Sequence, residues 1–88
     1  MAKRIQVPVQ VALQPGGSAP ARFWRAGTVY TVQRVETVWK ETGAWWDGEG
    51  ERIYFRVFAS SRHATQTGYY ELCCLPQENT WSLVEVLD

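Results

Sequence analysis

Cysteine is scarce in this chain, and its placement excludes covalent bracing. The 88 residues include two cysteines, the neighbours Cys73 and Cys74, and adjacent cysteines do not form an ordinary disulfide between distant segments. Neither has a Cys-x-x-Cys partner or a histidine at zinc-site spacing, so we expect no structural metal. Free thiols without a bridging pattern are typical of a reducing compartment, which predicts a cytoplasmic protein.

Long apolar runs and catalytic motifs are lacking too. Residues 1–17 alternate apolar residues with glutamines, whereas a signal peptide needs a continuous apolar stretch. No run approaches the roughly 20 apolar residues of a membrane span. The one histidine, His63, lies in a polar segment, and the acidic residues Asp47, Glu49 and Glu51 lack the spacing of a calcium-binding loop. We therefore expect no enzyme, no cofactor, no metal and no membrane partner.

Charge is balanced overall but not along the chain. Nine Lys and Arg residues stand against nine Asp and Glu residues, which gives a formal net charge of zero. Residues 35–88 hold every acidic residue, and residues 1–34 hold none but include five bases: Lys3, Arg4, Arg22, Arg25 and Arg34. Two interpretations remain open, strands that exchange charges across a sheet or a basic patch that contacts nucleic acid.

Aromatic residues are what the chain has in abundance. It contains five tryptophans, four tyrosines and three phenylalanines, and each can bury roughly 150–250 Å². A chain this short buries only about 60–65 % of the surface that its unfolded form exposes. We therefore expect aromatic packing to stabilise one β domain that spans residues 1–88.

Apolar residues alternate with other residues along most of the chain, which is the period-two pattern of strands. The first such run extends from Ile5 to Leu13, and Pro8 within it indicates a strand edge whose amide side is uncovered. A hairpin follows over residues 21–32 with Gly27 in or near its turn, and three more strands are predicted in IYFRVFA, YYELCCL and WSLVEVLD.

The alternation slips between Tyr30 and Trp39, where Val35 is out of phase with Val32 and Val38. The slip indicates either a bent strand with a β-bulge or a helical turn over residues 35–41, and the β-branched residues there favour the bent strand. Six short strands joined mostly by short turns predict an all-β fold, a six-stranded antiparallel meander that forms a small barrel or a strongly curved sheet.

Two adjacent tryptophans, Trp45 and Trp46, stand in a glycine-rich and acidic segment before the strand that begins near Ile53. Neighbouring residues of an extended chain point in opposite directions, so one sheet face does not bury both rings. We expect one ring to be structural and the other to belong to a contact surface, and the sequence does not decide which is which.

Arginines interleaved with aromatic residues are the strongest binding signal. Arginine and aromatic faces suit single-stranded nucleic acid, arginine and tryptophan dominate protein–protein contacts, and the same rings could simply fill a small core. The candidate binding residues are Arg22, Trp24, Arg25, Arg34, Trp45, Trp46, Tyr54 and Arg56.

An ordered set of segments carries a family resemblance: PARFWRAGTVYTVQRV, WW, ERIYFRV, GYYEL and TWSLVEVLD. The set resembles a small bacterial family of unknown function, and it is similar to the C-terminal tail of ImuB-type proteins, which are catalytically inactive relatives of Y-family translesion polymerases. The resemblance covers the chain from about Ile5 to Asp88. It implies a non-enzymatic module that contacts protein partners within a mutagenic DNA-repair assembly.

Two functions of different classes follow as hypotheses. The first is a protein-binding accessory of a repair-polymerase assembly, and the second is a nucleic-acid-binding β domain that uses its arginines and exposed aromatic rings. Self-association is left open by the sequence. Salt distinguishes the two, because phosphate binding weakens steeply as salt rises and a hydrophobic protein interface does not.

Overall fold

Six antiparallel strands close into a small β-barrel in the computed structural model. The structure describes residues 2–17, 19–42, 50–61, 67–76 and 78–87, without the side chains of residues 2–6, 42 and 87. Each strand pairs with the next in the chain, and the last returns to pair with the first. The all-β antiparallel prediction is thereby confirmed in its barrel form. The strands are β1 (Ala2–Leu13), β2 (Pro20–Arg25), β3 (Thr28–Thr42), β4 (Glu51–Ser61), β5 (Thr67–Leu75) and β6 (Thr80–Leu87).

Strand β3 explains the slip in the apolar alternation. Its pairing with β4 shifts between Val32 and Arg34 and again between Val35 and Thr37, so Gln33 and Glu36 are the extra residues of two bulges. The bent-strand interpretation is confirmed, and the helical turn over residues 35–41 is wrong. The expectation that all strands are short is also wrong, because the bulges let β3 curve around the barrel for 15 residues.

The proline of the first strand lies where one edge of that strand has no paired neighbour. Pro8 is the register partner of Ser82 on the β6 side, whereas the pairing with β2 begins only at Gln10. A residue without an N–H therefore sits at a strand position that no described strand covers on the β2 side.

A two-residue turn joins β2 to β3 and fixes their register. Ala26 and Gly27 have φ angles of 51° and 79°, the left-handed values that a type I′ turn needs at both central positions. The turn aligns Arg25 with Thr28 and Phe23 with Tyr30. The predicted hairpin and the place of Gly27 are thus both correct.

The core lies inside the barrel and is centred on three aromatic rings. Phe23 is completely buried and stacks on Tyr30 with ring centroids 4.8 Å apart, while Tyr70 meets both rings edge-on at 5.6 and 5.3 Å. Alternate residues of the other strands complete the core around them, among them Phe55, Val57, Ala59, Leu72 and Leu83.

We expect Phe23→Ala to remove most of the stability of this barrel. The substitution leaves a ring-sized cavity beside Tyr30 and Tyr70, which costs about 3–5 kcal/mol, and small domains have roughly 5–15 kcal/mol in total. Phe23→Leu, which keeps most of the volume, is the matched control and should cost less. Urea unfolding followed by far-UV circular dichroism measures both. A loss below about 1 kcal/mol for the alanine variant would contradict the central place of this ring.

The turn offers a stabilising change. Ala26 holds a left-handed conformation that costs a residue with a Cβ atom roughly 1–2 kcal/mol, and asparagine tolerates it better. We expect Ala26→Asn to raise the free energy of unfolding by about 0.5–1 kcal/mol, and Ala26→Val, which is β-branched, to lower it. Thermal melting of the two variants checks the prediction, and equal melting temperatures would refute it.

Candidate protein-contact surfaces

The structure separates the candidate binding residues into two groups. Arg34 lies on β3, and Tyr54 and Arg56 lie on the outer face of β4, since their neighbours Phe55 and Val57 are buried in the core. The other group lies on β2, the first strand of the β2–β3 hairpin, and consists of Arg22, Trp24 and Arg25. Trp45 and Trp46, with the division of roles expected for them, lie outside the described residues, as does His63.

The first group belongs to a larger set of outward side chains on β3, β4 and β5. We name it the aromatic–arginine surface, and it consists of Arg34, Trp39, Tyr54, Arg56, Phe58 and Tyr69. The register of the sheet creates it, because Trp39 is opposite Tyr54 and Phe58 is opposite Tyr69. Residues directly opposite one another on antiparallel strands point to the same face and contact each other.

Arg34 holds one end of this surface. Its guanidinium carbon lies 4.6 Å from the centre of the Phe58 ring, and its Nη2 donates a hydrogen bond to the hydroxyl of Tyr69 at 3.3 Å. Its Nε pairs with the carboxylate of Glu36, which is two residues further along the strand and so points to the same side. The hydrogen bond to Glu36 raises the pKa of Arg34.

Arg56 holds the other end through a nearly buried carboxylate. Its Nη2 and Nε both donate to Oε1 of Glu71, at 2.5 and 3.0 Å, and this bond raises the pKa of Arg56. The side chain of Glu71 is 8 % exposed. The guanidinium carbon of Arg56 lies 6.0 Å from the ring centre of Trp39, which stacks on Tyr54 at 5.3 Å. Both arginines of the surface are therefore already matched to carboxylates of the same chain.

Sequence reasoning missed half of the aromatic–arginine surface. Trp39, Phe58 and Tyr69 did not enter the candidate list, although Phe58 shares the predicted outward phase of Tyr54 and Arg56. The two bulges together restore the phase of β3, so Trp39 points outward like Thr31 and its direction could also have been predicted. The cross-strand register that brings Tyr69 to Phe58 is specified by no local pattern of the sequence.

Trp24 of the second group lines a groove at one end of the barrel, which we name the end groove. It has a volume of about 590 Å³ and is lined by Val9, Gln10, Val11, Ala12, Leu13, Trp24, Asn79 and Trp81. Trp81 also contacts the core ring of Phe55, with centroids 5.4 Å apart. The guanidinium carbon of Arg22 lies 5.8 Å from the ring centre of Trp24, so a cation stands beside the outer wall of the groove.

The two thiols lie on opposite faces of β5. Cys74 packs against the core cluster, whereas Cys73 is opposite Tyr54 on the outer face and is 7 % exposed. Burial raises the pKa of both thiols, so neither is activated as a nucleophile. Among the residues described, no cluster of three or more His, Cys, Asp or Glu side chains could hold a metal ion.

Comparison with known proteins adds one finding to this geometry. The profile of a domain of unknown function, DUF6504, matches residues 1–88. The chain belongs to the DUF6504 family. No curated protein and no solved structure matches it. In the part of this DUF6504 chain that the structure describes, no helix is long and apolar enough to cross a membrane.

We expect the stability of this DUF6504 barrel to fall at alkaline pH. The pKa values of Cys73, Cys74 and Tyr54 are raised, in each case by burial first, so the folded state holds these protons more tightly than the unfolded state. This contribution is fully present below the ordinary thiol pKa of about 8.5 and is lost as pH rises through the raised values.

Urea unfolding at a series of pH values measures the effect. The double variant Cys73→Ala, Cys74→Ala removes two of the three groups and should lose stability less steeply between neutral and alkaline pH. Parallel curves for the wild type and the double variant would show that the thiols make no such contribution.

Proposed function

We propose that this chain is a non-enzymatic protein-interaction module, an accessory that binds protein partners in a DNA-repair assembly of the translesion-polymerase kind. The carrying observation is the aromatic–arginine surface, in which Arg34 and Arg56 are paired with Glu36 and Glu71. Arginine and aromatic side chains that share one outer face have the composition of protein–protein hot spots.

The pairing favours protein over nucleic acid as the partner of this surface. A phosphate bound by Arg56 would compete with Glu71, whose carboxylate is nearly buried. A buried charge that loses its partner is strongly destabilising. A protein partner can instead cover the rings of Trp39 and Tyr54 while the ion pairs stay intact, and its own polar groups can bond the remaining guanidinium donors.

The translesion part of the proposal is supported by the resemblance to ImuB-type tails. Three of the segments that carry the resemblance also build the surface, because residues 20–35 contain Arg34, residues 51–57 contain Tyr54 and Arg56, and residues 68–72 contain Tyr69. An ImuB-type polymerase-like protein is accordingly the first partner to test. The cytoplasm, where such an assembly copies DNA, is the proposed location.

Single-stranded nucleic acid is the second candidate, and one observation favours it. Arg22 has no salt-bridge partner among the described side chains and stands beside the half-buried ring of Trp24. A cation next to an aromatic face is the minimal unit of sequence-tolerant stacking. The candidate is confined to β2, because the arginines of the aromatic–arginine surface are occupied.

We expect the purified chain to bind a purified ImuB-type protein, and Trp39→Ala to weaken that binding. Removal of a hot-spot ring costs about 2 kcal/mol, or roughly thirtyfold in Kd. Trp39→Phe, which can still stack on Tyr54, should retain most of the affinity. Thr31→Ala, an exposed change on the same strand, is the control. Isothermal titration calorimetry measures all four proteins.

Salt separates the two candidates in the same apparatus. Binding to the ImuB-type protein should change little as salt rises, whereas binding to a labelled single-stranded oligonucleotide should fall steeply if phosphate contacts carry it. Absence of binding to the ImuB-type protein, together with salt-sensitive binding of the oligonucleotide that Arg22→Gln weakens, would refute the proposal and favour the second candidate.

A further inference from the structure

The end groove contains a stretch of strand edge that the barrel leaves open. Strand β6 pairs with β1 from Leu87 down to Trp81, which is opposite Val9. Strand β1 continues to Leu13 and pairs with β2 over residues 10–13. On the β6 side of residues 10–13 no described strand follows, because β6 begins at Thr80 and its pairing with β1 ends at Trp81.

The backbone groups of this stretch alternate in direction, and one hydrogen bond shows which of them point to the groove. The N–H of Gln14 donates to the carbonyl of Ala19 at 2.9 Å, toward the β2 side. Because successive residues of a strand direct their backbone groups to opposite edges, Val11 and Leu13 direct theirs to the groove. An exposed strand edge of this kind is a template for an added strand.

The walls of the groove suit an extended chain with apolar side chains. Trp24 is opposite Gln10 on the outer face, whereas Trp81 lies toward the core, so one indole stands on each side of the β1 edge. Leu13 is 48 % exposed. Asn79 has a φ of 54°, a left-handed conformation that ends the turn and lets β6 begin at Thr80.

The charge beside the groove selects the chemistry of its occupant. Arg22 stands next to Trp24, and residues 1–34, which supply most of the groove lining, contain no acidic residue. We propose that the end groove binds an extended acidic segment of the protein partner. This segment adds as a strand along residues 10–13, places apolar side chains on Trp24 and Trp81, and offers a carboxylate to Arg22. This inference rests on the proposed protein-binding function and names the class of peptide recognised.

The test uses the intact chain and a short labelled peptide in which valine alternates with glutamate. Fluorescence anisotropy should show saturable binding of this peptide. The same peptide with every backbone amide N-methylated has no N–H to donate to a strand edge and should bind at least about tenfold more weakly, as expected for two or more lost backbone hydrogen bonds. A peptide in which lysine replaces glutamate should bind more weakly still.

Matched variants place the binding in the groove. Arg22→Gln should weaken the valine–glutamate peptide roughly threefold to fivefold, the range of an exposed ion pair, and Arg22→Lys should restore most of the affinity. Lys40→Gln, which removes an exposed cation of β3 outside both surfaces, should leave it unchanged. The N-methylated peptide tests the same idea on the unaltered chain, so the result does not depend on the folding of any variant.

The outcomes that overturn the inference are distinct from those that overturn the proposed function. Equal binding of the N-methylated peptide would refute strand addition, and equal binding of the lysine peptide would refute acidic selectivity. A chain dimer that the peptide does not dissociate, seen by sedimentation, would make a second copy the occupant.

Loss of all peptide binding with retained, Trp39-dependent binding of the ImuB-type protein would refute this inference alone. Peptide binding without any binding of the ImuB-type protein would refute the proposed partner alone.

Discussion

This barrel depends on one six-residue strand, β2, which pairs with a neighbour along both of its edges. Along its length β1 otherwise pairs only with β6, and β3 otherwise pairs only with β4. Without β2 the described strands would form an open sheet that leaves the inward rings exposed. Phe23 joins this pairing to the core, since its ring lies between Tyr30 of the next strand and Tyr70 of the opposite wall. The tight turn at Ala26 and Gly27 brings β3 to β2 in the register that this stacking needs.

The shortness of β2 also leaves long stretches of its two neighbours without a partner on one edge. Since β2 covers only residues 10–13 of β1 and residues 28–31 of β3, the longer strands extend past it at opposite ends. Strand β3 extends past it toward Thr42 and follows the curvature with two bulges. The end groove has a different origin, since it opens on the other edge of β1, where the pairing with β6 ends at Val9 and Trp81.

Local pattern was sufficient for the fold class and for the inward or outward direction of most side chains, because burial in a barrel repeats every two residues. It placed Phe55, Val57 and Ala59 on one face of β4 and Tyr54, Arg56 and Phe58 on the other, as the structure has them. It could not supply the cross-strand partners. The pairing of Arg56 with Glu71 joins residues 15 positions apart, and whether a guanidinium is occupied or available depends on that pairing. The same limit applies to the end groove, whose lining comes from both ends of the chain.

Two open edges among the described strands differ in how they discourage chance pairing. Beyond Thr31 the free edge of β3 contains two bulges and the charged residues Arg34, Glu36 and Lys40, which are the usual means by which native sheets prevent edge-to-edge association. The stretch of β1 beside the groove contains Val11, Ala12 and Leu13 and has no charged residue. The one irregularity in its pairing is in the ladder with β2. A protein that blunts one edge so thoroughly has no evident physical reason to leave the other apolar unless an interaction there is useful. The contrast within a single sheet therefore favours β1 over β3 as the edge at which the proposed partner strand would add.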